Sequence, residues 1–102
     1  VKAIMALYDD MKLRIHDITH SQYSVYLLDA LFSRPIFKTT DLASRFRDEY
    51  GIHEKTTPGL LRQLKEAGVL MELQAGSGRR AAVLCFPELL NLAEGREVFT
   101  KV

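Results

Sequence analysis

The sequence predicts a mainly α-helical domain with a small β-hairpin: a winged helix-turn-helix preceded by a long connector helix. Three observations carry that expectation. Apolar residues at Ile4, Leu7, Met11, Ile15 and Ile18 recur at spacings of three and four, which marks one face of a long amphipathic helix. Two further helical stretches, opened at Thr39 and Pro58, follow each other closely and stop at Gly51 and Gly68. Immediately after them, two apolar runs flank the glycine-rich segment Ala75-Gly76-Ser77-Gly78, the pattern of a hairpin. Few other small folds set a two-strand hairpin directly after a tight helix pair.

The first helix is expected over Lys2 to about Ile18, with Asp9, Asp10, Lys12, Arg14 and Asp17 on its polar side. Ser21 is the expected cap of a second helix, Gln22 to Phe32, because its hydroxyl can accept from an unpaired first-turn amide. That helix carries Tyr23, Tyr26, Leu27, Leu28, Leu31 and Phe32 and should be largely buried. Pro35 opens a segment too short for a helix, so Ile36-Phe37 reads as a short edge strand. A threonine cap and Asp41 in the first turn suit the start of the third helix, whose inward face is Leu42, Ala43, Phe46 and Tyr50. In the fourth, Thr57 is the natural cap and Pro58 the first helical residue. Leu60, Leu61, Leu64 and Ala67 then face inward and Gly59, Arg62 and Glu66 outward. Strands over Val69 to Leu73 and Ala81 to Phe86 form the hairpin, and Pro87 to Ala93 a closing helix ended by Gly95.

At 102 residues and 47% hydrophobic composition the chain suits one globular domain, able to bury a core without staples. The expected organisation is a connector helix over 1–19, leading out of a preceding catalytic domain, then the winged helix over 20–95 and a tail over 96–102. No run approaches the ~18–20 apolar residues of a membrane span. A lone cysteine, Cys85, has no partner for an internal disulfide, which points to a reducing, cytoplasmic setting. Fourteen basic against thirteen acidic residues leave a formal charge of +1, and the positive excess falls in residues 34–80.

Several segments carry a family resemblance. Leu31-Phe32-Ser33-Arg34-Pro35-Ile36-Phe37, the run Leu60 to Leu70, Gly76-Ser77-Gly78-Arg79-Arg80 and Phe86-Pro87-Glu88-Leu89-Leu90-Asn91 resemble the C-terminal winged-helix region of bacterial Fic family proteins. The likeness runs from roughly Ile4 to Phe99, and the wing with the Phe86–Asn91 segment is its more specific part. It implies a parent enzyme that transfers AMP from ATP to a hydroxyl of a target protein. The Fic signature, a His-Pro-Phe run followed by a Gly-Asn-Gly-Arg phosphate loop, is absent from this chain, so no transferase activity is expected of it. The resemblance makes the Fic catalytic domain of the same polypeptide the first expected partner.

Two functional classes follow. As a regulatory or protein-interaction module, the domain would use the stripe Ile4, Leu7, Met11, Ile15 and Ile18, which if uncovered favours pairing with a second copy. As a binder of duplex DNA, it would use the helix 58–67 and the wing, with Thr56, Thr57, Arg62, Arg79 and Arg80 as contacts and Lys38 and Lys55 at the edges. The outward helix face is thin for base reading: Gly59 has no side chain, Glu66 repels phosphate and Pro58 lacks an amide donor. His16 and His20 share a helix face at a spacing that suits one metal ion, but no third ligand accompanies them, so neither metal nor cofactor is expected. Arg79-Arg80 after Gly76-Ser77-Gly78 reads as a hairpin turn with solvated arginines, because a phosphate loop also needs a Lys-Ser/Thr pair and a following helix.

Overall fold

The protein is described by a computed structural model over residues 2–94. Five helices and three strands follow in the order α1 (Lys2–Thr19), α2 (Ser24–Ser33), β1 (Ile36–Lys38), α3 (Thr39–Tyr50), α4 (Thr56–Glu66), β2 (Met71–Gln74), β3 (Val83–Cys85) and α5 (Pro87–Glu94). The fold is mainly helical with a small antiparallel sheet. The expected stop at Gly95 and the tail 96–102 lie outside the described residues.

The apolar stripe of α1 meets its cover within the domain. Met11 and Ile15 are fully buried, and Leu7 and Ile18 pack against the same core, because α1 lies against α2, α4 and α5. The expectation of an interaction surface along Ile4, Leu7, Met11, Ile15 and Ile18 is therefore corrected: Met11 and Ile15 are withdrawn, Leu7 and Ile18 are partly buried, and Ile4 is 39% exposed in the first turn. Two side chains tie α1 down further. The Tyr8 hydroxyl donates to Asp29 of α2 at 2.7 Å, and Arg14 meets Glu88 of α5 at 3.1 Å.

Helix ends show how the sheet and the turns share the capping. Ser21 accepts from the Tyr23 amide at 3.0 Å, but the turn it stabilises precedes the helix, which starts at Ser24 rather than Gln22. At α3 the expected threonine cap is not used: Lys38 occupies the cap position, and the Thr39 amide donates to the Ala82 carbonyl at 3.0 Å. The neighbouring chain thus satisfies a donor that a hydroxyl would otherwise serve. The C-terminus of α3 behaves as expected. Gly51 sits at φ 67°, where only glycine is unstrained, and its amide donates to the Arg47 carbonyl at 3.1 Å, the single-bond left-handed closure. Tyr50, expected in the core, is 44% exposed and stacks on Tyr26 with ring centroids 4.0 Å apart.

The sheet order is β1-β3-β2, with β3 central and both pairings antiparallel. Ile36 lies opposite Cys85 and Lys38 opposite Val83, so the short edge segment read from the sequence is a third strand of the hairpin's own sheet. Leu73 is the extra residue of an irregularity between Glu72 and Gln74. The regular strands are shorter than expected. Val69 and Leu70 lie in the turn that follows α4, where both amides bond back to the Leu64 carbonyl. The outer turn closes over Ser77–Arg80, whose backbones exchange hydrogen bonds of 3.0 and 2.9 Å. Gly78 there has φ 58°, as the first central position of a type II′ turn requires.

Candidate nucleic-acid and protein interface

The candidate interface is built on α4 and the hairpin. α4 begins at Thr56, with Lys55 as its cap and no side-chain capping bond. Pro58 is therefore the third helical residue, where its missing amide still costs no helical bond. Starting the helix two residues earlier than expected places Thr57 on the stripe shared with Leu60, Leu61 and Leu64, and Thr57 is 0% exposed. The expectation that Thr57 touches nucleic acid is overturned by this burial, and its Oγ1 has no hydrogen-bond partner among the described residues. A helical wheel extended one turn upstream was the signal that could have revealed it. Ala67, expected inward, is the exposed C-cap of the helix.

The remaining expected contacts are at the surface. Thr56 is half-buried, whereas Lys55, Arg62, Arg79 and Arg80 are exposed and no ion pair engages them among the described residues. Arg62 borders a shallow groove between α4 and the sheet, together with Pro58, Leu61, Lys65, Glu72 and Leu84. Lys38 lines a different depression, between α2, β1 and α3. Arg79 and Arg80 sit on the outer turn of the hairpin.

Carboxylates engage part of the charge around α4. Lys65, which sequence inspection had not singled out, donates to Glu72 of β2 at 3.3 Å. Glu54 accepts from Arg47 at 3.2 Å, and Asp48 beside it holds the Arg47 guanidinium above its ordinary range. Glu66 is exposed, one turn on from Arg62, and neither Lys55 nor Arg62 is engaged by an ion pair among the described residues. The Lys65–Glu72 pair arises only when the strand folds back on the helix, so no short sequence pattern signals it.

Other chemistry-bearing groups stand apart. The His16 and His20 rings are 6.4 Å apart, centroid to centroid, and among the described residues no group of three or more His, Cys, Asp or Glu is placed to hold a metal ion. Cys85 is fully buried, and burial pushes its thiol up, against a smaller opposing hydrogen bond from the Met71 backbone. A buried, protonated thiol is a poor nucleophile. Among the described residues no helix is long and apolar enough to cross a membrane. No protein-family model matches the chain, and no curated protein matches it.

Proposed function

We propose that this domain is a winged helix-turn-helix that acts as a regulatory or protein-interaction module of a Fic-type AMP transferase, with the catalytic domain elsewhere in the polypeptide. The β1-β3-β2 sheet and the position of its β2–β3 hairpin after the α3–α4 pair support the winged-helix reading. The Phe86–Asn91 segment and the arginine-tipped hairpin support the family. The observation that carries the interaction role is the withdrawal of two groups from the outward side of α4, Lys65 tied to Glu72 and Thr57 buried in the core. DNA affinity rests on neutralised phosphates, and Arg62 is the one cation of α4 that no ion pair engages among the described residues.

The second reading, duplex DNA, draws on Arg79 and Arg80, exposed on the hairpin turn, engaged by no ion pair among the described residues and able to meet a phosphate backbone. Fluorescence anisotropy of a labelled random duplex at two salt concentrations separates the two. The interaction reading expects no binding at low salt. Binding that weakens steeply with salt, with the log–log slope flattened by about one per arginine lost in Arg79→Ala/Arg80→Ala, would overturn it in favour of DNA. For the family, the gene is expected to encode the His-Pro-Phe and Gly-Asn-Gly-Arg motifs, and deleting this domain is expected to change the parent's AMP transfer to its target. A gene without those motifs, or a deletion without effect, removes the Fic assignment.

A further inference from the structure

β1 is one of the two edge strands of the sheet. The Phe86 amide donates to Pro35 and the Thr39 amide to Ala82, so positions 35, 37 and 39 form the hydrogen-bonded pairs with β3. In an antiparallel ladder the residues between them turn their backbone groups to the other side. Ile36 therefore presents both its N–H and its C=O outward, and Lys38 its N–H.

Alongside this edge a cleft of about 290 Å³ opens between α2, β1 and α3. Ala30, Phe37, Leu42 and Val83 make its apolar lining. Its charged side chains are Arg34, Lys38 and Arg45 against the single carboxylate Asp41. Arg45 is held loosely by Glu49 at 4.0 Å, while no ion pair engages Arg34 or Lys38 among the described residues. A lysine on an edge strand discourages pairing with apolar or cationic strands. Here it stands in a cationic rim over an apolar floor, a combination that admits an acidic strand.

We propose that the β1 edge and its cleft dock an extended acidic peptide of a protein partner, which adds a strand beside β1, sets an apolar side chain into the cleft and directs carboxylates at Arg34 and Lys38. Main-chain hydrogen bonds supply affinity in such strand addition, and the cleft and its charges supply the choice of sequence. The proposal rests on the reading of the domain as an interaction module, which the duplex titration tests separately.

The test uses a fluorescein-labelled peptide of alternating glutamate and valine, titrated into the domain and followed by anisotropy. A lysine–valine peptide of the same length is the control. Saturable binding of the acidic peptide alone is expected, weakened about tenfold or more by Arg34→Glu/Lys38→Glu. Both substituted side chains are exposed, so the variant should keep the fold, verified by circular dichroism. Amide hydrogen exchange supplies the second readout: bound peptide should slow exchange at Ile36 and Lys38, which loose electrostatic adhesion would not do. Absence of binding, equal binding of the lysine–valine peptide, or binding without protection of those two amides would each overturn the proposal. If the peptide fails and duplex DNA also fails to bind, the docking site falls while the interaction reading stands.

Discussion

Replacing Ile15 by alanine tests whether the α1 stripe is core or contact surface. Ile15 is fully buried in the same cluster as Met11, Leu27 and Leu28. Ile15→Ala removes about three methylene equivalents, worth about 2.4 kcal/mol of transfer free energy. A residual cavity of roughly 80 Å³ would add about 2 kcal/mol, so the expected loss lies between about 2 and 5 kcal/mol. For a domain of this size that lowers Tm by on the order of 15 °C. It also consumes a large fraction of the ~5–15 kcal/mol that holds such domains folded. Urea unfolding monitored by far-UV circular dichroism should show a lower midpoint at an unchanged slope. Leu13→Ala, on the same helix but 69% exposed, is the matched control and should stay within about 0.5 kcal/mol. A loss below about 1 kcal/mol for Ile15→Ala, or equal losses for both variants, would refute the packing of α1 against the helices beside it.

Three further outcomes are expected. His20 sits at φ 49° just beyond α1, its amide bonded to the His16 carbonyl at 2.7 Å, so His20→Gly should relieve left-handed strain and raise stability by about 0.5–1 kcal/mol in the same urea assay; a loss of stability would contradict this. The hydrogen bond to Asp29 holds the Tyr8 phenol above its ordinary value of 10.0, with burial and the charges of Asp29 and Asp9 adding to the rise. Because the folded state favours the protonated phenol, its contribution is complete below pH 10 and fades as pH climbs through the raised value. Absorbance titration near 295 nm should therefore lose its most alkaline tyrosine transition in Tyr8→Phe, and Asp29→Asn should shift that transition down; unchanged curves would exclude the bond. Finally, Cys85 should react with a chromogenic disulfide about a hundredfold more slowly in the native protein than in urea. Comparable rates would mean that the strand around it is open.

Much of the helical framework was legible because its signals are local. Gly51 and Gly68 end helices at φ 67° and 83°, where a residue with a Cβ is strained, and both stops stand where the glycines do. The three- and four-residue spacing of Leu60, Leu61 and Leu64 marked the buried face of α4 equally well. Capping was less legible, because a donor can be satisfied from far away: the Ala82 carbonyl serves Thr39, and no feature near Thr39 announces it. Among the candidate contacts, Arg62, Arg79 and Arg80 were correctly read as surface residues. Thr57 was not, since its role as cap or core residue depends on where the helix starts, and that is set by the packing of Leu60 and Leu61. The stacked Tyr26–Tyr50 pair joins α2 to α3, a juxtaposition that periodicity within either helix does not reveal.

By itself, then, the sequence determined which segments are helices, where glycine stops them, that a hairpin follows α4 and that α1 needs an apolar cover. Those properties arise from backbone sterics and side-chain periodicity over a turn or two. Tertiary structure alone decided that the cover is α2, α4 and α5, that β1 joins β3, and that Lys65 of α4 is engaged by Glu72. An amphipathic face specifies only that apolar area leaves water, and burial is non-directional, so the partner is chosen by what the rest of the chain can bring against it. The Arg14–Glu88 contact, spanning 74 positions of sequence, is the consequence of that choice.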